Sequence, residues 1–169
     1  DNMVLQQQAE VKLWGKARPN ATVTVKTSWN GQTYKFSSDG KGGWSLTVST
    51  PVAGGPYKII FNDGELLTLQ NVLIGEVWFC SGQSNMEMPM GCFDRQPVRG
   101  ANDIIAKAKP STPIRMYTTD SKDGRWVRQF SKTPAEDCQG EWLENTPVNV
   151  SHISAVSYYC LLYTSPSPR

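Results

Sequence analysis

The sequence has few of the features that mark several protein classes. None of its four cysteines lies in a CxxC pair, which excludes the usual pattern of a structural zinc site. Its 17 basic and 15 acidic side chains are spread along the chain, without a basic stripe for nucleic acid or a polybasic membrane patch. No apolar run approaches the roughly 20 residues needed to cross a bilayer. We therefore expect no metal, no cofactor, no nucleic-acid partner and no membrane span.

Histidine is scarce as well, because His152 is the only one and so the only candidate imidazole base. Cys92 and Cys138 are candidates for a disulfide if the protein meets an oxidising compartment. The alternative for them, as for Cys80, is a free and partly buried thiol. No signal peptide is visible either. Since the chain opens with Asp1 rather than Met, that absence says nothing about export.

The first 70 residues show the pattern of an all-β domain. Short runs alternate apolar with polar residues, are rich in β-branched and aromatic side chains, and are separated by turn residues. The dipeptide Asn30-Gly31 is a type I′ hairpin signal. Several strands at this spacing predict a small β-sandwich, near the lower size limit for a free-standing core. The predicted strands are residues 11–15, 21–26, 32–37, 44–48 and 57–61.

The pattern changes at about residue 71. A continuous apolar run from Val72 to Cys80 predicts a strand that is buried on both faces, as in α/β folds. The elements predicted after it are a helix over 101–108, a strand over 113–117, a long polar connection over 118–149 and a buried helix over 151–159 with Ser151 as its N-cap.

The last ten residues, 160–169, leave the helical pattern for a Ser/Pro tail. They resemble a translated transposase sequencing adapter, so we expect the natural sequence to stop near Tyr159. The alternative is a genuine proline-rich terminus. The predicted organisation is thus a β-domain over 1–70, the first part of an α/β domain over 71–159, and an adapter artefact over 160–169.

The motif that carries chemistry is Gly82-Gln83-Ser84-Asn85-Met86, directly after the apolar run. A serine at the carboxyl end of a buried strand lies where α/β folds place their sites, and small flanking residues let the chain turn sharply and expose the hydroxyl. The motif is not the GxSxG elbow of α/β-hydrolases, because Met86 replaces the last glycine. On the residues alone, Ser84 is either a nucleophile or a turn-forming serine.

The fifteen residues from Gly75 to Pro89, GEVWFCSGQSNMEMP, closely resemble the first motif block of the sialate O-acetylesterase family, whose members are SGNH-type hydrolases. The resemblance implies a mixed fold, in which an N-terminal all-β sandwich-like domain is followed by the truncated beginning of an α/β, SGNH hydrolase-like domain. It extends over essentially all of residues 1–159, through the segments 1–6, 11–15, 53–57, 114–117, 140–142 and 154–159.

By this resemblance Ser84 is the nucleophile, and its backbone N–H is one oxyanion donor. The implied reaction is acyl transfer, in which Ser84 attacks an acetyl ester, the sugar alcohol leaves and water releases acetate. Gln83, Asn85 and Glu87 are expected to shape the site, with a structural role as the alternative. The chain departs from the family at Met88, where most members carry Trp.

The family's other catalytic parts lie outside this chain. Its later blocks supply a Gly and an Asn for the oxyanion hole and an Asp-x-x-His for the base, whereas His152 lies at a helix start. We therefore interpret His152 as a surface or helix-capping residue, and we expect this chain alone to be inactive. Trp14, Trp29 and Trp44 lie in the β-runs and are predicted to be core residues rather than sugar-stacking platforms. Trp78 is assigned to the buried strand.

The resemblance implies a fragment of a serine esterase that removes O-acetyl groups from sialic acid or a related glycan. An O-acetylated carbohydrate is the expected partner, and a secreted, periplasmic or lysosomal location is implied. The alternative is a non-catalytic carbohydrate-binding or interdomain β-sandwich module. The sequence does not identify the acetylated sugar, the position of its acetyl group or the oligomeric state.

Overall fold

The computed structural model describes residues 1–119 and 140–164, and between them the backbone of two short strands at 121–122 and 125–126. The chain divides into two compact units, with the break between Val77 and Trp78. The first unit is built of strands, and the second holds helices and short strand pairs. Within the described ranges, no helix is long and apolar enough to cross a bilayer. The chain is therefore mostly β, with some helices.

The strands of the first unit form two sheets. One has five strands in the order β1-β7-β6-β3-β4, and the other consists of β2 and β5 alone. All neighbouring strands are antiparallel except β1 and β7, which run parallel. The strand bounds are β1 Val4–Gln6, β2 Glu10–Lys16, β3 Thr22–Thr27, β4 Thr33–Ser37, β5 Gly43–Ser49, β6 Gly54–Asn62 and β7 Leu66–Gly75.

One hydrophobic core holds the first unit together and draws side chains from both sheets. In β3 the alternation of the strand buries Val23 and Val25 and exposes Thr22 and Lys26. The same period in β2 buries Leu13. The buried members of this core are Leu5, Leu13, Val23, Val25, Val48, Ile59, Val72 and Ile74.

The five strands predicted between residues 11 and 61 are confirmed, with ends that differ by a few residues. The predicted type I′ turn at Asn30-Gly31 is wrong. Gly31 has a φ of 68°, but Asn30 is not left-handed, and a type I′ turn needs positive φ at both positions. Instead, the Asn30 side chain accepts hydrogen bonds from Thr27 Oγ1 at 2.6 Å and from the Gln32 N–H at 3.0 Å, which stabilises a longer loop.

The predicted buried strand from Val72 to Cys80 is correct only at its start. The strand β7 ends at Gly75, and residues 76–80 are neither strand nor buried. Trp78 is 53% exposed and Phe79 is 92% exposed, so the assignment of Trp78 to a buried strand is wrong. The reason is pairing: in the part of the chain that the structure describes, no neighbouring strand meets this segment.

The second unit contains four described helices and two pairs of short strands. β8 pairs antiparallel with β11, and β9 pairs antiparallel with β10. Its buried core consists of Met90, Ala101, Ala108, Met116, Val150, Ala155 and Tyr158. The bounds are α1 Ser84–Glu87, α2 Ala101–Lys107, β8 Arg115–Tyr117, β9 Ser121–Lys122, β10 Arg125–Trp126, β11 Trp142–Glu144, α3 Pro147–His152 and α4 Ala155–Thr164.

The predicted helix over 101–108 and the strand ending at residue 117 are confirmed by α2 and β8. The predicted N-cap at Ser151 is wrong, because this residue lies inside α3 and its hydroxyl donates to the Val148 carbonyl at 2.6 Å. Thr146 caps α3 instead, by accepting from the Asn149 N–H at 3.2 Å, and Pro147 fits the first turn because its missing N–H costs no hydrogen bond there.

The predicted break of the last helix at residue 160 is also wrong, since α4 continues to Thr164. The leucines and the tyrosine at 161–163 suit a helix, and the first proline comes only at 166. Residues 165–169 and Cys138, with its suggested disulfide, lie outside the described residues. Cys80 and Cys92 are exposed rather than partly buried.

Candidate active site

Ser84 is the first residue of the one-turn helix α1, and its side chain is exposed. The turn is closed by the carbonyl of Gln83, which accepts from the N–H groups of Met86 at 2.9 Å and Glu87 at 3.2 Å. Gly82 leaves space for the Met86 side chain, which would have to shift if Gly82 carried a Cβ, since that atom would lie 2.4 Å from Cγ of Met86. The sequence thus produces a tight turn that presents a serine hydroxyl to solvent.

The other residues predicted to shape the site lie beside Ser84 along the turn. Gln83 and Asn85 are exposed, and Glu87 is half-buried. Among the described residues, no side chain forms a hydrogen bond with the Ser84 hydroxyl. Within the described ranges, the hydroxyl of this nucleophile candidate therefore has no hydrogen-bonded base.

The segment that follows Ser84 is fixed by backbone hydrogen bonds to the link between α3 and α4. The Met88 carbonyl accepts from the Ala155 N–H at 2.8 Å, and the Met90 N–H donates to the Ile153 carbonyl at 2.8 Å. Gly91 extends the ladder with a 2.7 Å bond to the Ser151 carbonyl. Because Met90 is also fully buried, the carboxyl side of the serine turn is firmly anchored.

The segment that leads towards Ser84 leaves the first unit beside Glu76. This carboxylate accepts from Nε2 of Gln7 at 2.6 Å and from Nε2 of Gln6 at 3.1 Å. The hydrogen bond from Gln7 lowers the pKa of Glu76, and the bond from Gln6 adds to the effect. Gln6 Oε1 also accepts from the Val77 N–H at 2.9 Å, so the exit of β7 is held by side chains from the chain's start.

His152 is the last residue of α3 and its side chain is exposed, which confirms its interpretation as a surface residue. It forms no hydrogen bond with Ser84 in the described part of the chain. Within the same ranges, no group of three or more His, Cys, Asp or Glu side chains would hold a metal ion. The imidazole is therefore not placed as the base for Ser84.

The tryptophans of the first unit do not all belong to its core. Trp44 and Trp29 pack against it, as predicted. Trp14 is 73% exposed, so its assignment to the core is wrong. The sequence held a signal for this, because Trp14 alternates in register with Lys12 and Lys16 and so shares their outward face. Gln6 and Gln7 were likewise given no role by the sequence, although they contact Glu76.

No protein-family model matches the chain. The chain is 35% identical over 101 residues to the sialate O-acetylesterase of Homo sapiens, a match that covers 52% of this chain and 19% of that protein. The sialate O-acetylesterase of Mus musculus is 35% identical over 96 residues, covering 51% of this chain and 18% of the relative. The chain thus spans about a fifth of the length of these curated relatives.

A solved structure, the carbohydrate acetylesterase from Xanthomonas citri, matches with a TM-score of 0.81 and 29% sequence identity. The match covers 99% of this chain and 37% of that one. The chain therefore shares its fold with a carbohydrate acetylesterase, and the names of its relatives support an esterase, a class of hydrolase. Within this class, the resemblance to the sialate O-acetylesterase family is confirmed, over about half of the chain.

Proposed function

We propose that the chain is part of a serine esterase that removes O-acetyl groups from sialic acid or a related glycan, with Ser84 as its nucleophile. The observation that carries the proposal is the match to a carbohydrate acetylesterase over 99% of the chain. The exposed hydroxyl of Ser84 on a tight, anchored turn is consistent with this role. An exported location, secreted, periplasmic or lysosomal, is part of the same proposal.

The proposed reaction has two acyl-transfer steps. Oγ of Ser84 attacks the acetyl carbonyl and loses its proton to a base, and the tetrahedral intermediate expels the sugar alkoxide, which takes up that proton. Water then attacks the acetyl-serine and gives a proton to the base, the tetrahedral intermediate expels Oγ of Ser84, which takes that proton up, and the acetic acid released loses its own proton to solvent as acetate. The Ser84 N–H lies in the first turn of α1, where backbone donors lack helical acceptors, and would stabilise the oxyanion.

We also propose that the remaining catalytic groups are supplied by segments of the complete protein outside these 169 residues. The apolar side chains at 77–79 are exposed by 44%, 53% and 92%, as expected for a strand that lacks its neighbours. In the complete protein this segment would become the first strand of an SGNH-type α/β sheet, following the sandwich-like first unit along the chain. That sheet would bring the oxyanion Gly and Asn and the catalytic His to Ser84.

The test is covalent labelling of the full-length parent protein with a fluorophosphonate probe. We expect the parent and a Ser81→Ala variant to be labelled and a Ser84→Ala variant to be spared. Ser81 is a matched control, because it is an exposed serine of the same motif. Release of acetate from O-acetylated sialic acid should fall about a thousandfold or more in Ser84→Ala only, as for other serine nucleophiles.

Absence of labelling in a folded, complete parent would contradict the esterase proposal. The 169-residue chain itself is expected to hydrolyse little or no acetyl ester, because an unaided serine hydroxyl is a weak nucleophile. Efficient turnover by this chain that is lost in His152→Ala would show that the base lies within it.

A further inference from the structure

The outward face of β2 carries an exposed aromatic ring framed by polar side chains. Trp14 lies between Lys12 and Lys16 on this face, because side chains two positions apart in a strand point the same way. On the neighbouring strand β5, Ser45 lies directly opposite Trp14 in the antiparallel register. All three polar residues are exposed, so the ring is open to solvent on a face with hydrogen-bonding groups around it.

Two hollows meet at Trp14. The first has a volume of about 540 Å³, and polar residues of its wall include Ser37, Asp39 and Ser45. The second has a volume of about 520 Å³, and its wall includes Asp63 and Glu65. Both hollows are open to solvent, the first more than the second, so they offer a shallow surface rather than an enclosed cavity. Trp14 and Trp44 line both hollows, and the surface that the two hollows share around Trp14 is here called the Trp14 groove.

We propose that the Trp14 groove binds a neutral oligosaccharide, with a pyranose ring stacked on the exposed indole. The C–H face of a pyranose is apolar and matches the flat, apolar face of a tryptophan. The hydroxyls at the rim of the sugar would form hydrogen bonds with Lys12, Ser45 and Asp39. Sites of this kind combine an apolar surface with a few placed polar groups, which is what the groove offers.

The charges of the groove favour a neutral ligand. The two cations Lys12 and Lys16 are outnumbered by three carboxylates, those of Asp39, Asp63 and Glu65, so that an acidic sugar gains no net attraction. The lining also argues against a protein partner. Lys, Asp, Glu and Ser are depleted in protein–protein interfaces, yet they surround this ring.

The framework beneath the groove is rigid. Trp44 packs between Phe36 and Phe61, with ring centroids 5.7 and 5.6 Å apart. Its indole lies against Gly15, where an added Cβ would come within 2.7 Å of a ring carbon. Trp14 therefore extends from a strand whose backbone is fixed on its inner side, and little ordering is needed when a sugar binds.

The test is isothermal titration calorimetry of the 169-residue chain with xylotetraose, cellotetraose and the acidic trisaccharide 3′-sialyllactose. We expect saturable binding of at least one neutral sugar, and binding about tenfold weaker or more in Trp14→Ala, as for the loss of a central tryptophan anchor. Trp78→Ala is the matched control, because it removes another exposed tryptophan outside the groove. Ser84→Ala should bind the neutral sugar with the affinity of the unmodified 169-residue chain.

The binding proposal and the esterase proposal fail separately, since neither needs the other's residue. No saturable binding of a neutral sugar by the folded chain, or equal affinity in Trp14→Ala, would overturn the binding site. Tighter binding of 3′-sialyllactose would overturn the neutral class. If Trp14→Ala does not fold, backbone NMR shifts of the unmodified chain decide: they must cluster on β2 and β5, and shifts confined to the second unit would refute the assignment.

Discussion

The side chain of Gln7 donates a 2.6 Å hydrogen bond to the carboxylate of Glu76, across 69 positions of sequence. Oε1 of Gln7 also accepts from the Ala53 N–H at 2.8 Å, so both polar atoms of the Gln7 side-chain amide form hydrogen bonds. The first residues of the chain are thereby joined to the exit of the first unit. This exit precedes the serine turn by only a few residues.

Removal of the Glu76 carboxylate should make the first unit less stable in a pH-dependent way. The hydrogen bonds from Gln7 and Gln6 lower the pKa of Glu76 in the folded state below 4.5. The stabilisation is therefore present above pH 4.5 and is lost as the pH falls through the lower folded-state pKa. We expect Glu76→Ala to lower the urea midpoint at neutral pH, and the difference from the parent to shrink in acid.

Glu65→Ala is the control for Glu76→Ala, because it removes an exposed carboxylate of the same unit that accepts no side-chain hydrogen bond from a described residue. Its urea midpoint should stay close to that of the parent. A Glu76→Ala effect that stays constant from neutral pH into acid would show that the carboxylate charge is not the cause.

Gly15→Ala should destabilise the first unit by about 1–3 kcal/mol, the usual cost of overpacking. A Cβ at this position would lie 2.7 Å from Cζ2 of Trp44. The indole cannot move away cheaply, because Phe36 and Phe61 pack on it. Chemical denaturation followed by fluorescence measures the change. Gly40→Ala, where the new methyl meets nothing within 4 Å, should change stability by no more than about 0.5 kcal/mol.

Tyr158→Phe should destabilise the second unit by about 1–3 kcal/mol, since it leaves a buried acceptor unsatisfied. The Tyr158 hydroxyl donates to Oδ1 of Asn145 at 2.7 Å, and Asn145 is only 2% exposed. Amide hydrogen exchange in α4 measures the loss. Tyr159→Phe is the matched control, because that hydroxyl donates to the Arg99 carbonyl at an exposed position, and its effect should be clearly smaller.

The stability of the second unit should also depend on pH in the alkaline range, through Tyr158. Burial raises the pKa of Tyr158 above 10.0. The stability contribution is complete below pH 10.0 and is lost as the pH rises through the folded-state pKa. A phenolate absorbance titration should show a late-ionising tyrosine that is absent from Tyr158→Phe. If every tyrosine ionised together in the native chain, the burial of Tyr158 would be contradicted.

The strands between residues 11 and 61 were predictable because each follows the period of two over enough residues to define a face. The strand β1 was not, since its three residues, Val4–Gln6, give no period and its partner lies about 70 positions away. The Ser151 cap failed for a related reason. The sequence pattern favoured Ser151 as the N-cap of a single helix, whereas the chain forms two helices, one capped by Thr146 and one that begins after Ser154.

For the site, the motif predicted the position of Ser84 and its exposure at a turn. It did not predict which backbone fixes that turn, because the bonds of Met90 and Gly91 to the α3–α4 link join segments about 60 residues apart. The exposed Trp14 was missed because tryptophans were assigned to the core by residue type. Its alternation with Lys12 and Lys16 carried the correct information.

The parallel pairing of Val4 with Leu73 and of Gln6 with Gly75 limits when this edge of the sheet can form. Hairpins such as β6–β7 close over a few residues and form early, whereas the pairing of β1 must wait until the chain has been synthesised through Gly75. Closing so long a loop adds an entropic cost that the local hairpins do not have. We therefore expect the first residues of the unit to pair late, and an unfinished chain to leave this edge of the sheet open to other strands.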